Sequence, residues 1–195
     1  MRRIWNAIGL LIIMVSMAIF LLYVVPTIDD IFTTSTLKQE DVPIPTELHP
    51  KVEEAKQTLI QRAEAKDITI VITDGHRTEA EQDELYQQGR SEPGNIVTYA
   101  SGGESYHNYG LAIDFALRVD NGEVVWDMQR DGNGNGESDW MEVVAIAKDL
   151  GFEWGGDWTS FKDYPHLQMD FGLTIRELKY GERPEIEGYA ANDEE

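Results

Sequence analysis

The chain has 195 residues and a mass of 22.1 kDa, enough for one domain of ordinary size plus appendages. Its 36 acidic and 16 basic residues give a formal charge of −20, and with no basic patch to offset that charge, nucleic acid is excluded as a main partner. The absence of cysteine excludes disulfide frameworks, cysteine zinc sites and cysteine nucleophiles, so any metal must be held by His, Asp, Glu, Asn or backbone oxygens.

Residues 4–25 (IWNAIGLLIIMVSMAIFLLYVV) are uncharged and apolar, and as a helix they would reach roughly 33 Å, enough to cross a bilayer core. Arg2 and Arg3 precede the run and all 36 acidic residues follow it, so the positive-inside rule keeps the N-terminus cytoplasmic and exports the rest. The expectation is a single-pass signal anchor. The alternative is a secreted chain cleaved near Ser16-Met17-Ala18, although the apolar run continues past that point. Residues 26–47 read as a linker rich in Pro, Thr and Asp. Residues 48–181 read as the globular domain, and 182–195 as an acidic tail.

Within the domain, Val52, Ala55, Leu59, Ile60 and Ala63 recur at helical spacing and predict a helix over about 50–66. Residues 68–73 (ITIVIT) predict a strand. Thr78-x-x-Glu81 is a capping-box pattern that opens a helix running to about Gln88, and Gly89 ends it. A Gly/Ser-rich loop fills 89–106. Residues 111–119 predict a buried strand, with a turn at Asp120-Asn121-Gly122 and a hairpin partner at 123–126. A Gly/Asn/Asp-rich loop at 131–139 precedes a helix at 140–150, and a strand at 166–171 precedes a short helix at 174–180. Helices and hairpin-joined strands in this order predict an α+β fold with a small central antiparallel sheet.

Two segments carry chemistry. In Ser105-Tyr106-His107-Asn108-Tyr109-Gly110-Leu111-Ala112-Ile113-Asp114, a loop delivers His107 and an apolar strand delivers Asp114 between Ile113 and Phe115. A carboxylate there faces a desolvation penalty that a cation would offset. Asp163-Tyr164-Pro165-His166 places a second imidazole before the last strand. Two imidazoles and one carboxylate suit a catalytic zinc with an open position, and Asp163 is spaced to reach a water there. On spacing alone, satisfied structural residues remain the competing reading.

The pattern S-x-H-x-x-G-x-A-x-D followed by carboxylate-x-x-His resembles the LAS metallopeptidases (peptidase family M15, VanY-like), which include D-Ala-D-Ala carboxypeptidases and dipeptidases, L-Ala-D-Glu endopeptidases and phage endolysins. The resemblance covers about residues 45–180. Together with Asp74-Gly75-His76-Arg77-Thr78 it is closest to the L-Ala-D-Glu endopeptidase branch of bacilli and their phages. It implies a LAS/hedgehog-like fold and one catalytic zinc held by His107, Asp114 and His166. It also implies Asp163 as general base, Arg77 as the residue that binds substrate and stabilises the oxyanion, and Gln82 and Ser105 as substrate contacts. The implied substrate is the peptidoglycan stem peptide, cut between L-Ala and D-Glu. Removal of terminal D-Ala by a carboxypeptidase, and a non-catalytic wall-binding module, are the competing functions.

Residues 131–142 also fit the calcium-loop pattern D-x-[DN]-x-[DN]-G-x5-E, with Asp131, Asn133, Asn135, Glu137, Asp139 and Glu142 as candidate ligands of a structural calcium. A turn that only caps the following helix is the alternative. The preceding segment reads as a strand, so a complete EF-hand is not expected.

Overall fold

The computed structural model describes residues 42–185. Helix α1 (Pro50–Glu64) begins with proline at its first position, where the missing N–H costs nothing, and His49 caps it by accepting a hydrogen bond from the Lys51 amide through Nδ1 (3.3 Å). Its Val52, Ala55, Leu59 and Ala63 face inward, as the periodicity predicts. Strand β1 (Ile70–Asp74) follows. Helix α2 (Glu79–Gln87) then opens on the capping box of Thr78 and Glu81. A 3-10 turn at Tyr106–Tyr109 leads into β2 (Ala112–Arg118), which turns back into β3 (Val124–Val125). Helix α3 (Asp139–Asp149), strand β4 (Glu153–Trp154), a 3-10 turn at Gly155–Asp157, strand β5 (His166–Gln168) and helix α4 (Ile175–Lys179) complete the described elements.

The sheet is wholly antiparallel. It runs β1-β2-β5-β4, with β3 paired to the end of β2 at Leu117↔Val125 and Arg118↔Val124. Alternate residues of a strand point to opposite faces. Ile113, Phe115 and Leu117 of β2 and Leu167 of β5 therefore enter the core with α1 and α3, where the Phe115 and Trp140 rings pack 4.4 Å apart. Asp114 and His166 fall on the other face. The register pairs Asp114 with His166 on one side and with Asp74 on the other, after a bulge between Ile72 and Asp74. Three polar residues thus form one row across β1, β2 and β5, where cross-strand neighbours lie within contact range.

Several expectations need adjustment. The last strand ends at Gln168 rather than residue 171, because the Asp170 side chain accepts from Gly172 N (2.7 Å) and its carbonyl from Leu173 N (2.9 Å), which folds the chain into a turn. Strand β4 had no sequence signal of its own; it is two residues long and exists by pairing Glu153 with Gln168 and Trp154 with Leu167. The end of the expected linker touches the domain, since His49 N donates to Gly110 O (2.9 Å) and a Cβ on Gly110 would lie 2.2 Å from Glu47 O. At the other end, Arg183 donates to Leu178 O (2.8 Å). The apolar run at 4–25 lies outside the described residues. Among the described residues no helix is long and apolar enough to cross a membrane.

The 131–142 loop does not support the calcium expectation. Asp131 accepts from the amides of Asn135 (3.1 Å) and Gly136 (3.0 Å), and the Asn135 side chain accepts from Glu137 N (2.8 Å). The Asn133 and Asn135 side-chain amides both donate to Glu142 (2.9 Å each), whose other oxygen binds the Lys66 ammonium at 2.6 Å. Lys66's hydrogen bond is the main reason the Glu142 carboxyl sits below its ordinary range. Asp139 accepts from Gly132 N (2.9 Å) and pairs with Arg130. N–H donors thus hold the side-chain oxygens of Asp131, Asn135 and Glu142, and the loop closes as a polar turn leading into α3.

Candidate active site

The S-x-H segment folds as it does because Ser105 caps the 3-10 turn, its Oγ accepting from His107 N (3.3 Å), while Asn108 reaches back to the cap. Gly110 then turns the chain with φ = +66° directly beneath residues 47–49, where no Cβ would fit. This turn lowers His107 onto the Asp114–His166 pair.

The three side chains converge on one point. His107 Nε2 lies 3.1 Å from His166 Nδ1, and Asp114 Oδ1 lies 3.3 Å from each. The other ring nitrogens show which atoms carry lone pairs. His107 Nδ1 is 2.6 Å from the Gly75 carbonyl, which can only accept, so Nδ1 carries the proton. His166 Nε2 is 3.1 Å from Gln168 Oε1, whose orientation is set because the same amide donates to Glu153 (3.2 Å). With each ring's proton directed outward, two imidazole lone pairs and a carboxylate oxygen face one another, and Asp114 Oδ1 has no well-directed donor. A tetrahedral ion with bonds of ~2.05 Å places its ligand atoms roughly 3.3 Å apart, which matches all three edges. Among the described residues this is the cluster of acidic and histidine side chains able to hold a metal.

The electrostatics point the same way. Burial pushes the Asp114 carboxyl up, but the two imidazoles outweigh it and hold the group well below the ordinary carboxylate range. Burial opposes charge on His166, yet Asp114 beside it raises the imidazole above its usual value. The cluster therefore favours a positive charge at its centre.

The cluster lines a cavity of about 640 Å³ shared by Asp74, Arg77, Ser105 and Asp163. Asp163 is brought in by a tight loop. Its amide donates to Gly155 O (3.2 Å), and a Cβ on Gly155 would lie 2.4 Å from Asp163 O. Burial, followed by the charge of Asp114, pushes the Asp163 carboxyl up against the pull of His166, His107 and Arg77. Arg77 is pinned by three donors. Nε (3.1 Å) and Nη2 both bond Asp74 Oδ2, and Nη1 donates to Gln82 Oε1 (2.7 Å). A guanidinium has five N–H groups, so two remain, and Nη2 stands 3.8 Å from Asp114 Oδ2 at the edge of the metal cluster.

The residues expected at the site are therefore assembled, with two qualifications. Gln82 is fully buried and stands behind Arg77, its amide also donating to Ala100 O (2.8 Å), so it positions the arginine instead of meeting substrate. Ser105 lines the cavity, and its hydroxyl also holds the turn that carries His107. Sequence reasoning missed Gln168, Glu153 and Trp158, and gave Asp74 and Gly75 no role although they stand in the quoted motif. Gln168 had a readable signal, since it lies two residues after His166 on the same strand face. Asp74 had one too, three residues before Arg77. Trp158, whose ring lies 5.1 Å from that of His166, had none.

A three-residue cluster able to hold a metal, with a spare carboxylate and a pinned arginine in one cleft, has the make-up of a hydrolytic metal centre. A family model described as D-alanyl-D-alanine carboxypeptidase matches residues 98–169, which include all three ligands and Asp163. The chain is 64% identical over 130 residues to the peptidoglycan L-alanyl-D-glutamate endopeptidase CwlK of Bacillus subtilis (strain 168), covering 67% of this chain and 78% of that protein. It is 35% identical over 118 residues to the L-alanyl-D-glutamate peptidase of Listeria phage A118, covering 60% of this chain and 36% of the relative. The crystal structure of the Serratia marcescens L-Ala D-Glu endopeptidase ChiX superposes with a TM-score of 0.45 at 24% identity, covering 68% of this chain and 84% of that one. The chain belongs to the LAS-type metallopeptidases, peptidase family M15.

Proposed function

We propose that this chain is a zinc-dependent endopeptidase that hydrolyses the L-Ala–D-Glu bond of peptidoglycan stem peptides. The observation that carries the reading is the convergence of His107 Nε2, His166 Nδ1 and Asp114 Oδ1 on a triangle with edges of 3.1–3.3 Å, beside Asp163 and Arg77. The relatives named above supply the choice of bond.

His107, Asp114 and His166 would hold the ion. When bound, zinc acts as a Lewis acid on the scissile carbonyl and lowers the pKa of a coordinated water from about 15.7 toward roughly 7. Asp163 accepts the proton of the attacking water and passes it to the departing D-Glu amine. Its raised pKa makes the carboxylate a better proton acceptor than an exposed aspartate. Arg77 directs its two remaining N–H groups at the carbonyl oxygen as negative charge develops there. Asp74 and Gln82 hold the guanidinium in one orientation, and preorganisation of this kind costs nothing further when the reaction occurs. Gly75 O and Gln168 fix the tautomers of the two ligand histidines and so keep the lone pairs on the metal side.

The apolar run 4–25 behind Arg2 and Arg3 supports a membrane-anchored enzyme whose catalytic domain faces the wall. Digestion of purified peptidoglycan, with and without a zinc chelator, tests the reaction by mass spectrometry. The expected products are glycan-linked L-Ala with a free carboxylate and peptides that begin with D-Glu, both abolished by the chelator. Release of terminal D-Ala would instead establish the carboxypeptidase reading, and no cleavage at all would leave a wall-binding module.

A further inference from the structure

Two unlike sets of residues stand out among those that line the cavity. One carries charge and surrounds the ligand cluster: Asp74, Arg77, Asp114 and Asp163. The other comes from two loops, Val97, Thr98 and Tyr99 after α2, and Trp158, Ser160 and Phe161 before β5. These six are uncharged, in a chain with 36 acidic residues. Tyr99 is 65% exposed and Phe161 39% exposed, yet their rings meet edge to face with centroids 5.2 Å apart and planes at 85°. The two loops therefore touch through an aromatic pair open to solvent.

The pair is braced from behind. Arg90 donates to Thr98 O (3.0 Å) while its guanidinium lies over the Tyr86 ring at 3.9 Å and stands 5.7 Å from the Tyr99 ring. Gln82, which holds Arg77, also bonds the backbone at Ala100 (2.8 Å). One buried amide thus ties the arginine and the Tyr99 loop together, so the aromatic rim is set in register with the reacting groups.

The proposed substrate has a matching division of charge. Beyond the scissile bond the D-Glu side bears carboxylates. On the other side a single L-Ala separates the bond from the lactyl-linked amino sugar, which is neutral once its carboxyl is amidated. At about 3.5 Å per residue the sugar lies within roughly 7 Å of the scissile carbonyl, so a cleft that cuts this bond must also accommodate it. Resting on the L-Ala–D-Glu reading, we propose that Tyr99 and Phe161 form a stacking subsite for that neutral amino sugar. An uncharged aromatic surface suits the C–H face of a pyranose and gives a carboxylate no partner.

The test compares two substrates of the full-length enzyme: a disaccharide-tetrapeptide, and the same tetrapeptide with an N-acetyl group in place of the sugar. The wild type is expected to favour the glycosylated substrate about tenfold in kcat/KM, the scale of one aromatic contact. Tyr99→Ala and Phe161→Ala are expected to bring that ratio toward one through KM, whereas Tyr99→Phe, which keeps the ring, preserves it. Equal losses on both substrates would overturn the proposal by making the pair a peptide contact, and so would a wild type without preference. Product masses separate this from failure of the bond assignment, because loss of D-Ala from either substrate shows that the enzyme cuts elsewhere.

Discussion

Replacing Arg77 with lysine keeps the charge and removes the fork, so it isolates what geometry contributes. The arginine uses three of its N–H groups inside the protein, two on Asp74 and one on Gln82. A lysine ammonium cannot reach both acceptors in that arrangement. Asp74 is partly exposed and can turn to water, but Gln82 is fully buried and its Oε1 would lose its donor. An unsatisfied buried acceptor costs about 1–3 kcal/mol, which for a domain of this size corresponds to a melting temperature lower by about 2–10 °C. Loss of the directed donors at the carbonyl oxygen should lower kcat by about 10²–10³-fold, with KM altered far less because the positive charge remains. Thermal melts followed by circular dichroism, and steady-state hydrolysis of a purified muropeptide, measure the two effects. A lysine variant with kcat within about threefold of wild type would show that charge alone suffices, and the orienting roles given to Asp74 and Gln82 would fall.

Asp163→Asn should lower turnover by about 10²–10⁴-fold while the metal stays bound, as metal analysis would show. The same substitution should stabilise the metal-stripped protein. The folded carboxyl has a raised pKa, so the native state binds its proton more tightly than the unfolded chain, and stability falls as pH rises from the unfolded value of 3.8 through the folded one. The asparagine variant should therefore melt higher than wild type at pH 7 and no higher below pH ~3.5. A variant that melts lower at pH 7 would refute the burial argument. Gly110→Ala adds a Cβ 2.2 Å from Glu47 O and 3.1 Å from His49 N, both backbone atoms, at φ = +66°. Left-handed strain and the endangered His49–Gly110 hydrogen bond together predict a loss of about 2–4 kcal/mol in denaturant unfolding. A loss below about 1 kcal/mol would mean that residues 47–49 move aside freely.

The His107–Asp114–His166 cluster was legible because its residues sit in patterns with a physical meaning. Asp114 is an unshielded carboxylate inside an apolar strand, and His107 lies between a capping serine and a glycine turn. The helices were legible through apolar periodicity and the Thr78–Glu81 box. What escaped depended on partners distant along the chain. Glu153–Trp154 becomes a strand only beside β5. Gln82 was expected as a substrate contact, and its hold on Arg77 shows only once Arg77 and Ala100 are placed against it. The 131–142 loop depends on a distant partner too: its spacing suits a cation, but Lys66, far away in sequence, pairs with the terminal glutamate.

The row Asp74–Asp114–His166 has a wider consequence. Two of the three residues of the metal-binding cluster and the anchor of the arginine are spaced by strand register, so their separations are as stiff as the ladder of backbone bonds beneath them. The surfaces that greet a substrate belong instead to the two loops bearing Tyr99 and Phe161. The metal-binding row and the selective rim thus belong to different parts of the architecture and meet at the second loop, where Asp163 lies two residues beyond Phe161. Exchanging the Tyr99 loop between relatives should therefore redirect which wall fragment is accepted and leave the row beneath it intact.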